Sequence, residues 1–222
     1  MTEPGLQANY RYMSNGETDL SGRYWGRGQI RKYFEQFTQF EGKSVLDFGC
    51  GEANFVSFEP HGNYTGMDID LAVINKNKFR LPQYKFEHYD GYNHMYNPNG
   101  QELVPTIKNH YDVCVAFSVF THFTFDETRD IIDVLKEHCD QVLLTYYSNR
   151  FRPAYDAICT WKNLEPNMWE DIANHDVFYI KTDKWLWSFY DDDWLAARFD
   201  AKWHDTKFPT NSIRGLQRCL VI

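Results

Sequence analysis

The stretch "SVLDFGCGEANF", Ser44 to Phe55, sets Asp47 just before a turn carrying Gly49 and Gly51 and almost no side chains. Glycines there let a ligand approach the main chain closely. A second acid, Asp68, follows 21 residues later (68 − 47), at the end of "NYTGMD". That spacing suits a carboxylate that accepts from ribose hydroxyls. Two ligand chemistries compete for such a turn. A dinucleotide would bring its diphosphate to a helix N-terminus behind GxGxxG, but the sixth position here is Asn54 and Asp47 would repel the phosphates. A nucleoside carrying a cationic group meets no such penalty, and the charge pattern favours it. Groups able to move a proton lie further on. His122 sits in "FTHF" and Tyr146, beside Tyr147, in "QVLLTYY". Each also has a structural reading, the histidine bonding a neighbouring loop and the tyrosines packing under later residues.

These residues need a sheet to present them, and the pattern supplies one. "SVLDF", 63–68, 84–89, "YDVCVAFSV" (111–119) and 141–147 read as strands. Helical spacing marks 29–40, 71–79 and 126–138, the last capped by Asp126. Strands alternating with helices imply a parallel sheet covered on both faces. Residues 1–23 read as a loosely held arm. Residues 148–190 break the rhythm with Pro153, Pro166 and an aromatic and cationic set that includes Arg150, Arg152, Trp161, Trp169 and Trp187. Within them "DVFYIKTDKWLWSFY" reads as a hairpin turning at 182–184. A short helix, "DDDWLAARF", and two strands joined through Pro209 end the chain.

Composition bounds the partners. The 222 residues are 43% hydrophobic and 24% charged, an ordinary globular balance able to bury a core. Net charge is −8 and the pI about 5.4, which argues against binding along a nucleic-acid backbone. Five scattered cysteines without a CxxC argue against zinc and for a reducing, cytoplasmic compartment. The chain shows no secretory leader pattern and no apolar run long enough to span a membrane.

On these residues the chain resembles the class I S-adenosylmethionine-dependent methyltransferases, in particular the small methyltransferase-domain proteins acting on metabolites and sugars. "VLDFGCGEA" is similar to their motif I, "YTGMDID" to the second-strand motif and "YKFEHYDGY" to the third. "YDVCVAFSVFTHF" is similar to the segment after the fourth strand, and "YDDDWLAARF" through "QRCLVI" to the terminal helix and hairpin. The resemblance covers roughly 24–147 and 190–222, leaving out the arm and 148–189. Departures are Ala53 for the usual third glycine and a short first crossover helix.

The resemblance implies one domain over 1–222, an α/β Rossmann-like seven-stranded mixed sheet in the order 3-2-1-4-5-7-6 with the last strand antiparallel. It implies S-adenosyl-L-methionine as cofactor. Asp47, Gly49, Cys50 and Gly51 would hold its methionine part, Asp68 the ribose and Ile69 the adenine face. Asp90, with Gly91 beside it, would accept from the adenine amine, and Phe117 and Ser118 would lie near the reacting methyl. Tyr24, Trp25 and Arg27 in "GRYWGRG", ahead of the first helix, would bind the cofactor, with Arg27 pairing its carboxylate. The acceptor would be a small molecule receiving the methyl on O or N, with 148–190 as lid, acceptor wall or oligomer contact. Two other readings stay open: a nicotinamide-dependent oxidoreductase of similar topology, and a protein that binds the cofactor without turnover.

Overall fold

The computed structural model describes residues 28–56, 62–151, 169–172, 176–181, 186–205 and 217–222. The arm, Tyr24, Trp25, Arg27, Cys159, the hairpin turn at 182–184 and the Pro209 connector lie outside them.

Four α-helices and ten strands are described. The helices are α1 (Gln29–Phe34), α2 (Leu71–Arg80), α3 (Phe125–His138) and α4 (Asp192–Phe199). The strands are β1 (Ser44–Phe48), β2 (Asn63–Asp68), β3 (Lys85–His88), β4 (Val113–Ala116), β5 (Val142–Ser148), β6 (Trp169–Ile172), β7 (Val177–Lys181), β8 (Leu186–Tyr190), β9 (Lys202–His204) and β10 (Gln217–Val221). The strands β3-β2-β1-β4-β5 run parallel in that order, and β10 pairs antiparallel with β5 over Leu143–Tyr147 and then with β9. With β9 and β10 as the sixth and seventh strands of the expected scheme, the order 3-2-1-4-5-7-6 stands. The addition is the meander β6-β7-β8. Because β10 takes one edge of β5, β8 continues the β4 edge, joining only at Tyr147 and Ser148, beyond Leu144 where β4 stops.

The strands are apolar on both sides because both faces are covered. One face packs Val45, Tyr64, Ile74 and Phe86 with α1 and α2. The other packs Leu46, Phe48, Met67 and Tyr146 with α3 and α4. Each fully buried large side chain in these layers contributes about 1.5–3 kcal/mol relative to exposure.

Local signals fix the helix ends. Asp70 caps α2, accepting from Ala72 N–H at 2.9 Å and Val73 N–H at 3.2 Å. The cap of α3 is Thr124, not Asp126: Thr124 and Glu127 satisfy each other's backbone N–H in a capping box. The expected helix over 29–40 stops at Phe34. Phe37 and Phe40 keep apolar spacing but leave the helix to pack on His204 and Phe55, so burial continues where the helix does not.

Candidate active site

The glycine turn leaves β1 with its hydrogen bonds already directed. Gly49 (φ +70°) and Cys50 both donate N–H to Met67 O of β2, at 2.8 and 3.0 Å. A Cβ on Gly49 would collide with Val119, so the turn after β4 packs straight onto this one. Ala53, fully buried, and Ser118 hold φ of +58°, a costly region for residues with a Cβ. Residues 51–56 form turns, so Ala53 closes a turn (its N–H reaches Cys50 O at 2.9 Å) where helix packing was expected of it.

Gly51 is gripped on both sides. Its N–H donates to Asp68 Oδ2 at 2.8 Å, and its carbonyl accepts from Asn77 Nδ2 at 2.7 Å. A Cβ there would meet nothing within 4 Å, so this residue faces open space. Glu52 pairs with Lys76 at 2.6 Å and Arg80 at 3.6 Å on α2. Gly28, ahead of α1, donates to Asn54 O at 2.9 Å and ties that helix to the same turn.

Asp68 ends β2 half-buried, its other oxygen accepting from Asp70 N–H at 2.9 Å. Its pKa is raised, first by burial and also by Asp70, against the hydrogen bonds from Asp70 and Gly51 that lower it. Asp47 is 4% exposed and shares the α1–α2 side with Val45 and Tyr64, so the structure puts it beneath the turn. Tyr64 Oη donates to it at 2.7 Å. Burial pushes the Asp47 pKa up to about 7; the Tyr64 bond opposes this and the Asp68 charge adds to it.

Beyond β3, Asp90 is half-buried. Its carboxylate accepts from Asn97 Nδ2 at 2.9 Å, its N–H donates to Glu102 at 3.2 Å, and its carbonyl accepts from Gln101 and Glu102 N–H at 2.9 and 3.0 Å. Gly91 lies under the Tyr89 ring, where any Cβ would overlap it. Ile69, half-buried, follows Asp68 at the edge of the α3 layer.

After β4, Phe117 sets its ring edge-on to Tyr33 and Phe34, with centroids 6.0 and 6.3 Å away. Ser118 donates its N–H to Thr145 Oγ1 at 2.8 Å and accepts from Gln217 Nε2 at 2.6 Å. His122 lies in a single 3₁₀ turn, with Nδ1 3.1 Å from Leu186 O of β8. A carbonyl only accepts, so Nδ1 carries the proton and Nε2 is the basic nitrogen of the neutral ring.

Tyr146 is not brought to this group. It is fully buried on the α4 side and donates to Asp192 Oδ1 at 2.8 Å. Arg150 pairs with Asp192 at 3.2 Å. Burial, then the Asp192 carboxylate, holds the tyrosine proton more tightly than usual, so Tyr146 braces α4 rather than moving a proton.

Asn77, Thr145 and Gln217, all fully buried polar side chains, join the site without a motif in the sequence to mark them. A faint signal for Asn77 was its place three residues after Ile74, on the buried side of α2.

The arrangement joins carboxylates at the ends of β2 and β3, a gripped but open glycine, and an imidazole past β4. Asp68 uses backbone N–H groups yet keeps lone pairs, since a carboxylate offers about four acceptor sites. It therefore has room for ribose hydroxyls, and Asp90 likewise for an amine.

Residues 46–143 match the profile of a family described as "Methyltransferase domain". Among solved structures, the magnesium protoporphyrin IX methyltransferase of Synechocystis PCC 6803 with bound SAH is 14% identical, with 86% of this chain and 78% of that one covered and a TM-score of 0.55. The glycopeptide N-methyltransferase MtfA complexed with sinefungin is 11% identical, with 89% and 94% covered and a TM-score of 0.57. At these identities the likeness is one of fold.

Proposed function

We propose that this chain, whose residues 46–143 match a family described as "Methyltransferase domain", is an S-adenosylmethionine-dependent methyltransferase of the class I fold that moves a methyl group to an O or N atom of a small-molecule or sugar-type acceptor. The observation that carries this is Asp68 docked on Gly51, at the open side of the glycine turn. In this reading the cofactor supplies a methyl already activated on a sulfonium. The protein has to align the acceptor in line with that methyl and exclude water. Asp68 accepts from the ribose hydroxyls, Asp90 from the adenine amine, and Ile69 packs on the base. Gly49, Cys50 and Gly51 line the methionine part, with Phe117 and Ser118 beside the reacting end and Asp47 buried beneath the turn. Tyr24, Trp25 and Arg27 belong to this reading as cofactor-binding residues, Arg27 pairing the donor's carboxylate. His122 would take the acceptor proton at Nε2 while the electron pair of the acceptor forms the new bond to the methyl, and the cofactor would leave as the neutral thioether, its sulfur keeping the electron pair of the broken S–C bond.

In the same proposal the chain is one domain with its arm at 1–23. Residues 148–190 serve as lid, acceptor wall or oligomer contact, a reading supported by β8 reaching the end of β5 and the His122 ring. The acidic composition favours small acceptors over nucleic acid, and the scattered cysteines without a CxxC favour a cytoplasmic setting. None of the described helices is long and apolar enough to cross a membrane.

The test is release of S-adenosylhomocysteine from S-adenosylmethionine when hydroxyl- and amine-bearing acceptors are offered. A protein that binds the cofactor without turnover would release none above background. With an accepted substrate, His122→Asn keeps a donor for Leu186 O but has no base. Turnover is then expected to fall roughly 10²-fold, with S-adenosylhomocysteine affinity unchanged. Intact turnover would return His122 to a structural role.

A further inference from the structure

Asn93 is 1% exposed, in a loop rich in Asn, Gly and Pro. A buried amide is costly unless its atoms are paired. Asn93 spends its two ends differently. Its Oδ1 accepts from Met95 and Tyr96 N–H, both at 3.0 Å, closing a side-chain turn. Its backbone exchanges two bonds with Asn97, each of 3.0 Å. Its Nδ2 leaves the loop and donates to His122 O at 2.9 Å, 29 residues away. Closing the turn does not require that last bond.

Both neighbours of this amide belong to the site. Asn97, placed by the turn, donates Nδ2 to Asp90 Oδ1 at 2.9 Å and to Gly91 O at 3.0 Å. His122 meets the edge of the Tyr96 ring, with centroids 5.4 Å apart, and directs Nδ1 to Leu186 O. The chain Asp90–Asn97–Asn93–His122–Leu186 therefore runs from the end of β3, through the turn after β4, to β8.

We propose that Asn93 is a positioning residue that holds the Asp90 carboxylate and the His122 ring in one arrangement, coupling the nucleoside end of the site to its proton-moving end. This rests on the roles given to Asp90 and His122 above. The oxygen of Asn93 closes the turn that carries Asn97 toward Asp90, and its nitrogen holds the main-chain oxygen of His122, so substitution separates the two.

Asn93→Asp keeps the acceptor that closes the turn and removes the donor. Calorimetric affinity for S-adenosylhomocysteine is expected to stay within about 3-fold, while the His122 Nδ1–H resonance loses its protection from exchange in ¹⁵N NMR. Asn93→Ala removes both ends and is expected to weaken binding about 10-fold. Added to Asp90→Ala it should cost nothing further, since the two act on one carboxylate. If Asn93→Ala unfolds the protein, Asn93→Ser, which keeps one acceptor, takes its place in the cycle. Additive losses, or wild-type binding by Asn93→Ala beside a weakened Asp90→Ala, would overturn the coupling to Asp90. An unmoved His122 signal in Asn93→Asp would overturn the coupling to His122. Wild-type binding by Asp90→Ala itself would instead remove Asp90 from the nucleoside site, with the His122 half still decided by the NMR signal.

Discussion

Replacing Asp68 by alanine is expected to weaken S-adenosylhomocysteine binding by roughly 10²-fold or more, the largest loss from any single substitution in the site. A hydrogen bond to a charged group contributes about 1.5–3 kcal/mol, and in the proposed role Asp68 accepts two from the ribose hydroxyls. It also holds Gly51 N–H at 2.8 Å, so alanine frees the turn that the ligand lies against. Asp68→Asn separates these roles, because an amide oxygen can still accept from Gly51 while the charge is gone. Its loss should fall between wild type and alanine. Calorimetry on both variants, with melting curves to confirm folding, checks this, and alanine binding as tightly as wild type would remove Asp68 from the site.

The second large effect is on stability. The folded pKa of Asp47 is about 7, against an ordinary carboxylate value of 3.8. Between those values the folded protein keeps a proton that the unfolded chain has released. Stability linked to Asp47 is therefore fully present below about pH 4, falls as pH rises, and is lost by about pH 7. Three units correspond to about 4 kcal/mol, or roughly 10 °C in melting temperature for a chain of this size. Wild-type protein should melt higher at pH 5 than at pH 8. Asp47→Asn still offers Tyr64 an acceptor and should lose most of that difference. Part will persist because Asp68, also raised by burial, contributes with the same sign. Equal pH slopes in the two proteins would show that Asp47 does not titrate in this range.

The same two aspartates show what was legible in the sequence. Their spacing located the turn and its ligand chemistry. It did not reveal that Asp47 lies beneath the turn while Asp68 grips it, because that depends on which face each strand residue presents once both faces are covered. The parallel sheet was readable from alternating apolar runs. β6 was not, because "WEDI" has no strand pattern of its own and exists through pairing with β7. Phe37 and Phe40 carry helical spacing without being helical, since tertiary packing overrode local preference. Thr124, by contrast, was legible: a threonine with Glu127 three residues on is the capping signal, and Asp126 drew attention from it. Asn77, Asn93, Thr145 and Gln217 each act through a bond to a distant part of the chain, and no local spacing announces such a bond.

In the proposed reading the glycine turn and its two acids accept a cationic nucleoside and reject a diphosphate. Melting the wild-type protein with saturating S-adenosylhomocysteine and, separately, with NADH tests it most directly. Ligand at 100 times its dissociation constant stabilises the folded state by about 2.7 kcal/mol. The melting temperature should rise by several degrees with S-adenosylhomocysteine and stay unchanged with NADH; a rise with NADH alone would overturn the methyl-donor reading.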